Sequence, residues 1–105
     1  MIQTFRQIIN NLAEVSEAPH FEKRSFQVHH RVFATLSPNE TIACLKLSPV
    51  DQSVYCQLDP VSVYAVPNTW GQKGWTFVRV NEISVELLQE MILTAYNEIA
   101  SANRK

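Results

Sequence analysis

Apolar residues recur at three- and four-residue intervals at both ends of the chain and at two-residue intervals between them. From Ile2 to Val15, the series Ile2, Phe5, Ile8, Ile9, Leu12 and Val15 marks the buried face of a first amphipathic helix. Val85, Leu88, Ile92, Ala95 and Ile99 repeat the pattern near the other end, joined by Met91 and Tyr96. Ser84 is placed to cap that helix, and Glu86 puts a negative charge in its first turn, where the helix dipole favours one.

Between the helices, Ser25–His29, Arg31–Leu36, Thr41–Leu47 and Trp75–Val80 alternate and are rich in Phe, Val, Thr and Ile, which predicts strands. His29 and His30 form one predicted turn and Ser37–Glu40 another. Ser48, Pro49, Val50, Asp51 combines an N-cap, a proline at the first helical position and an acid three residues after the cap. A short helix from Pro49 to Leu58 follows from it, stopped by Asp59 and Pro60. Val61–Val66 is apolar but runs into Pro67, which confines it to a sheet edge.

This order predicts an α+β domain, a single antiparallel β-sheet with the N- and C-terminal helices packed on one face. Strand alternation then sorts the side chains. Turning Val78, Val80, Leu45, Leu47, Phe26 and Val28 toward the helices turns Trp75, Phe77, Arg79, Cys44, Lys46, Gln27 and His29 away. Burying Val32, Ala34 and Leu36 likewise sends Arg31, Phe33 and Thr35 outward. The outer face is predicted to be aromatic and cationic.

One hexapeptide, Trp70, Gly71, Gln72, Lys73, Gly74, Trp75, holds both glycines and both tryptophans of the chain. Glycine serves where φ is positive or backbones approach closely, so the segment predicts a tight turn feeding the last strand, with Lys73 at its tip.

Composition narrows the class. With 105 residues, 46% of them hydrophobic, residues 1–105 fit one domain with its own core. Polar residues interrupt the N-terminal apolar pattern, and no stretch reaches membrane-spanning length, so a soluble, cytoplasmic chain without a membrane partner is expected. Cys44 and Cys56 match neither a redox pair nor a zinc knuckle and read as reduced structural thiols. The net charge of −1 is unevenly spread: residues 20–80 hold Lys23, Arg24, Arg31, Lys46, Lys73 and Arg79 against Glu22, Glu40, Asp51 and Asp59. All three histidines fall there too.

Nothing in the sequence spells out a reaction. The serines lie in strand, cap or turn contexts without a nucleophile elbow, and the glycines precede a strand, whereas a phosphate-binding P-loop opens a helix. Neither cysteine has a histidine beside it, and His20, His29 and His30 lack metal-ligand spacing. The expectation is no enzyme, no metal and no cofactor.

Pro19, His20, Phe21 leading to Ser25–Val28, then Arg31–Ala34, Leu45–Pro49 and the Trp70–Trp75 hexapeptide resemble the YjbR/MmcQ family of small bacterial proteins, over about Glu17 to Ala100. The resemblance implies a frataxin-like (CyaY-like) α+β fold and a role in DNA binding through a double wing of β-hairpins. The wing-like elements would be the His29–His30 turn and the Gly71–Gly74 loop, with Gln72 standing where the family pattern often carries a second lysine. Iron binding in a frataxin-like fold needs an acidic helical ridge; the first predicted helix offers only Glu14, with Glu17 following, so iron is not expected.

Two functions fit these residues. One is a non-enzymatic DNA-binding domain, for double-stranded DNA, with Arg31, Lys46, Trp70, Lys73, Trp75 and Arg79 as contacts and a homodimer to supply further cations. The other is a protein or small-ligand interaction module using the outward aromatics.

Overall fold

The computed structural model describes residues 2–102. Its elements run α1 (Ile2–Asn10), β1 (Val15–His20), β2 (Lys23–Val28), β3 (Arg31–Leu36), β4 (Ile42–Lys46), α2 (Pro49–Leu58), β5 (Val63–Ala65), α3 (Thr69–Gln72), β6 (Trp75–Arg79) and α4 (Val85–Ala102). The strands form a sheet in the order β1-β2-β3-β4-β6-β5, with every neighbouring pair antiparallel. Helices α1, α2 and α4 pack on one face and leave the other open.

The helix-covered face follows the alternation. Phe26, Val28, Leu45, Leu47, Val78 and Val80 are buried there against Phe5, Ile9, Leu88, Ile92 and Ile99. Phe5 meets Phe26 edge-on with ring centroids 5.6 Å apart. Each such aliphatic or aromatic side chain contributes about 1.5–3 kcal/mol by leaving water. Tyr55 of α2 reaches α4, its hydroxyl donating to Glu90 at 3.0 Å and lying 2.9 Å from Thr94 Oγ1. Ser84 caps α4 by accepting from the Leu87 amide at 3.2 Å, and Ser48 caps α2 by accepting from Asp51 at 3.1 Å. β5 takes the sheet edge, where Pro67 requires it.

Three expectations change. The first helix ends at Asn10; Glu14, at φ 63°, turns the chain, and Val15 opens β1 opposite Val28. Leu12 therefore packs half-buried beyond the helix, and both Glu14 and Glu17 fall outside it. β1 itself has no apolar alternation to announce it, and its Pro19 is tolerated because β1 pairs only with β2, at the sheet edge.

The second change is a β-bulge. Phe26 pairs with Ala34 and Gln27 with Val32, leaving Phe33 as the extra residue. The bulge turns Phe33 inward, fully buried and edge-on to Tyr96 of α4 at 5.7 Å, rather than outward, and it puts Val32, expected on the helix side, opposite Gln27 on the open face. Arg31 lies before the bulge opposite inward-facing Val28, so it too sits on the helix side, exposed at the end of the strand.

The third concerns His29. Both His29 (φ 54°) and His30 (φ 66°) adopt left-handed backbone, as a two-residue hairpin turn requires. His29 does not extend the open face; its Nδ1 lies 3.7 Å from Glu14 Oε1, and it borders a hollow shared with Tyr96 and Asn97 of α4.

Candidate functional site

The Trp70–Trp75 hexapeptide is built from backbone contacts. Asn68 Oδ1 accepts from the Trp70 amide at 2.9 Å and starts the single turn α3, so Gly71 sits in helix rather than in an open loop. A Cβ on Gly71 would lie 1.7 Å from the carbonyl oxygen of Val66. Gly74 adopts φ +109°, and a Cβ there would lie 1.8 Å from the carbonyl oxygen of Leu47. That close approach is what lets the Leu47 amide donate to Gly74 O at 3.1 Å.

Gln52 of α2 fastens the segment from the side. Its Nε2 lies 3.0 Å from the carbonyl oxygens of both Gly71 and Trp75, and 3.1 Å from Thr76 Oγ1. Thr76 is buried and donates to Gly74 O at 2.9 Å. The hexapeptide is thus fixed to β4, α2 and β6, and it presents Trp70, 58% exposed, with Lys73 Nζ 5.2 Å from the Trp70 ring centroid.

From this rim the open face of the sheet extends along β6. Trp75 pairs with Lys46 and Phe77 with Cys44, which places these four side chains on one surface. Tyr64 of β5 tilts against Phe77 at 5.5 Å, and the Arg79 guanidinium lies 5.2 Å from the Tyr64 ring centroid. Lys46 folds back to donate to Leu47 O at 3.0 Å. Across β3 the face sinks into a concavity of about 460 Å³, with Thr35, Cys44 and Phe77 in its floor, His20 and Lys23 on one side, and Trp70 on the other. No acidic residue is among the described residues that line it. Burial pushes the Cys44 thiol up to about 11, against the pull of the Lys23 ammonium, so Cys44 is protonated at neutral pH and is not a ready nucleophile.

The helix-covered side treats its cations differently. Arg6 donates to Glu17 at 3.1 Å and to Glu40 at 3.2 Å, and Arg24 donates to Glu17 at 2.7 Å. Burial works to raise the Glu17 carboxyl, but the hydrogen bonds from Arg24 and Arg6 prevail and hold it below the ordinary glutamate range. Among the described residues, neither Lys73 nor Arg79 has a carboxylate partner.

Of the residues singled out from sequence, the open side collects Lys46, Trp70, Lys73, Trp75 and Arg79, while Arg31 lies on the other side. Lys23, Tyr64 and Gln52 join the site. Tyr64 was hidden because its contact with Arg79 crosses between strands, and Gln52 because a glutamine inside a helix carries no sequence signal of the distant carbonyls it binds. Among the described residues, no group of three or more His, Cys, Asp or Glu is placed to hold a metal ion, and no helix is long and apolar enough to cross a membrane.

The YjbR family model matches residues 10–98, a span that includes the whole sheet, the hexapeptide and most of α4. The chain belongs to the YjbR family. Its fold is similar to that of the crystal structure of DR2400, a Deinococcus radiodurans protein with a DUF419 domain: the TM-score is 0.85 at 20% sequence identity, covering 100% of this chain and 82% of the other. No curated protein matches the chain at a significant level.

Proposed function

We propose that this YjbR-family chain is a non-enzymatic DNA-binding protein that meets the phosphate backbone with the open face of its sheet. The observation that carries this reading is the way Lys73 and Arg79 are held, over the rings of Trp70 and Tyr64 rather than against carboxylates. A ring orients a cation without cancelling its charge, so the field of both remains available to a polyanion. Lys23 and Lys46 add positive charge to the same surface. Cys44 and Cys56 are both free thiols, in keeping with a reducing cytoplasm. So few cations make a weak monomeric contact, and a homodimer would strengthen it by doubling them.

Labelled duplex DNA titrated at two salt concentrations tests the reading. Affinity falls with salt, by a log–log slope of about 0.9 for each phosphate neutralised. Lys73→Glu and Arg79→Glu each weaken binding and lower the slope by about one, with the fold intact by circular dichroism. Wild-type protein that ignores duplex DNA at low salt, or charge reversals that bind like wild type, would defeat it.

The aromatic lining of the concavity favours a second reading, an interaction module for a protein or small ligand on the same face. Salt-insensitive binding of such a partner distinguishes it from the first.

A further inference from the structure

The open face is the wrong shape to read a duplex. Six strands at about 4.8 Å spacing make a sheet roughly 24 Å across, whereas a B-DNA major groove is about 12 Å wide and admits a helix or a two-stranded ribbon. Contact with intact duplex is therefore limited to phosphates. Phosphates, however, have no use for the aromatic concavity, which Trp70, Trp75 and Phe77 line together with Thr35 and Cys44.

The concavity suits a flat, heteroaromatic ring. Its volume of about 460 Å³ lies within the range of small-ligand sites, and its rings offer stacking surface. Asn68 lines it as well; its Oδ1 is occupied by the Trp70 amide, which leaves the Nδ2 donor for a polar ring edge. Cations mark both sides, Lys23 on the β1–β2 side and Lys73 beside Trp70. A ring flanked by two positive charges matches a base in a strand, with a phosphate before it and another after it.

We propose that the concavity receives one unpaired nucleobase, stacked on the Trp70 side, while Lys23 and Lys73 hold the neighbouring phosphates. The inference rests on the DNA-binding reading and specifies its ligand: DNA that contains an unpaired base, in preference to intact duplex. In a perfect duplex the bases are stacked inside and out of reach; in a single strand or at a bulge they are not.

The test compares four labelled probes by anisotropy at one salt concentration: a short single strand, its perfect duplex, the same duplex with one bulged adenine, and adenosine monophosphate. The single strand and the bulged duplex are expected to bind about tenfold or more tightly than the perfect duplex. They should also quench the fluorescence of Trp70 and Trp75, the two tryptophans of the chain. Trp70→Ala, at an exposed position, should bring the single strand and the bulged duplex down to the affinity that the same variant shows for the perfect duplex, and Trp70→Phe should restore the preference. Equal affinity for duplex and single strand, or an undiminished preference in Trp70→Ala, overturns the inference and leaves the DNA-binding reading standing. Failure to bind any DNA at low salt overturns both. Mononucleotide binding as tight as that of the strand overturns the inference in favour of a free-nucleotide site.

Discussion

On the helix-covered side of the sheet Arg6 and Arg24 close on Glu17 and Glu40; on the open side Lys73 and Arg79 lie over Trp70 and Tyr64. In stability the two arrangements are nearly equal, since an exposed ion pair is worth about 0–1 kcal/mol and an exposed cation–π contact about 0.5–1 kcal/mol. They differ in what reaches the solvent. The carboxylates cancel the field of their arginines, whereas the rings leave theirs intact. A net charge of −1 for the whole chain thus coexists with a positive face, because most of the anions lie elsewhere.

The largest expected effect belongs to the covered side. Ile92→Ala, at a fully buried position of α4, should destabilise by about 2–5 kcal/mol in a denaturant melt. If the two faces act independently and the open one binds DNA as proposed, the folded fraction keeps that affinity. A change well under 1 kcal/mol would mean that the helices do not carry the core.

Gly74→Ala breaks the separation. Left-handed backbone alone costs about 1–3 kcal/mol there, and the new Cβ meets the Leu47 carbonyl. Because Gly74 also fixes the hexapeptide, this variant should lose stability and DNA affinity together, read by thermal melt and anisotropy. Wild-type stability would leave the glycine without a role.

Arg24→Gln against Arg79→Gln sharpens the comparison. Each should cost within about 1 kcal/mol, being exposed. Only Arg79→Gln should reduce the proposed DNA affinity; equal losses would mean that the overall field, and not the open face, governs it.

The smallest effect is at acid pH. Because Glu17 is held below its ordinary range, its contribution is present above the unfolded-state value, about 4.3, and lost as pH falls through the folded-state value. Glu17→Gln should therefore lower stability near neutrality by no more than about 1 kcal/mol, and should flatten that acid arm of the pH profile.

Much of the fold was legible. The bounds of β3 and α2, the Ser48 and Ser84 caps and the edge position of β5 all follow from local rules of alternation, capping and proline placement. What escaped depends on partners remote in sequence. Val15–His20 becomes a strand because β2 offers an edge to pair with, not because its residues alternate. Phe33 turns inward because Tyr96 lies on α4 opposite a bulge, while its hexapeptide of alternating residues reads equally well without one. The candidate site shows the same division. Strand parity put Lys46, Trp75 and Arg79 on one surface, and the bulge removed Arg31 from it.

The chain's glycines also set where its sequence is free to drift. Glu14, Phe21, His29, His30 and Glu40 all hold left-handed backbone without being glycine, so these turns tolerate an unfavourable residue and would accept a more permissive one. Positions 71 and 74 have no such latitude: a carbonyl oxygen fills the space that any side chain would need. A lineage can therefore exchange residues at its hairpin tips one at a time, while the segment between the tryptophans changes only if the neighbouring backbone changes with it.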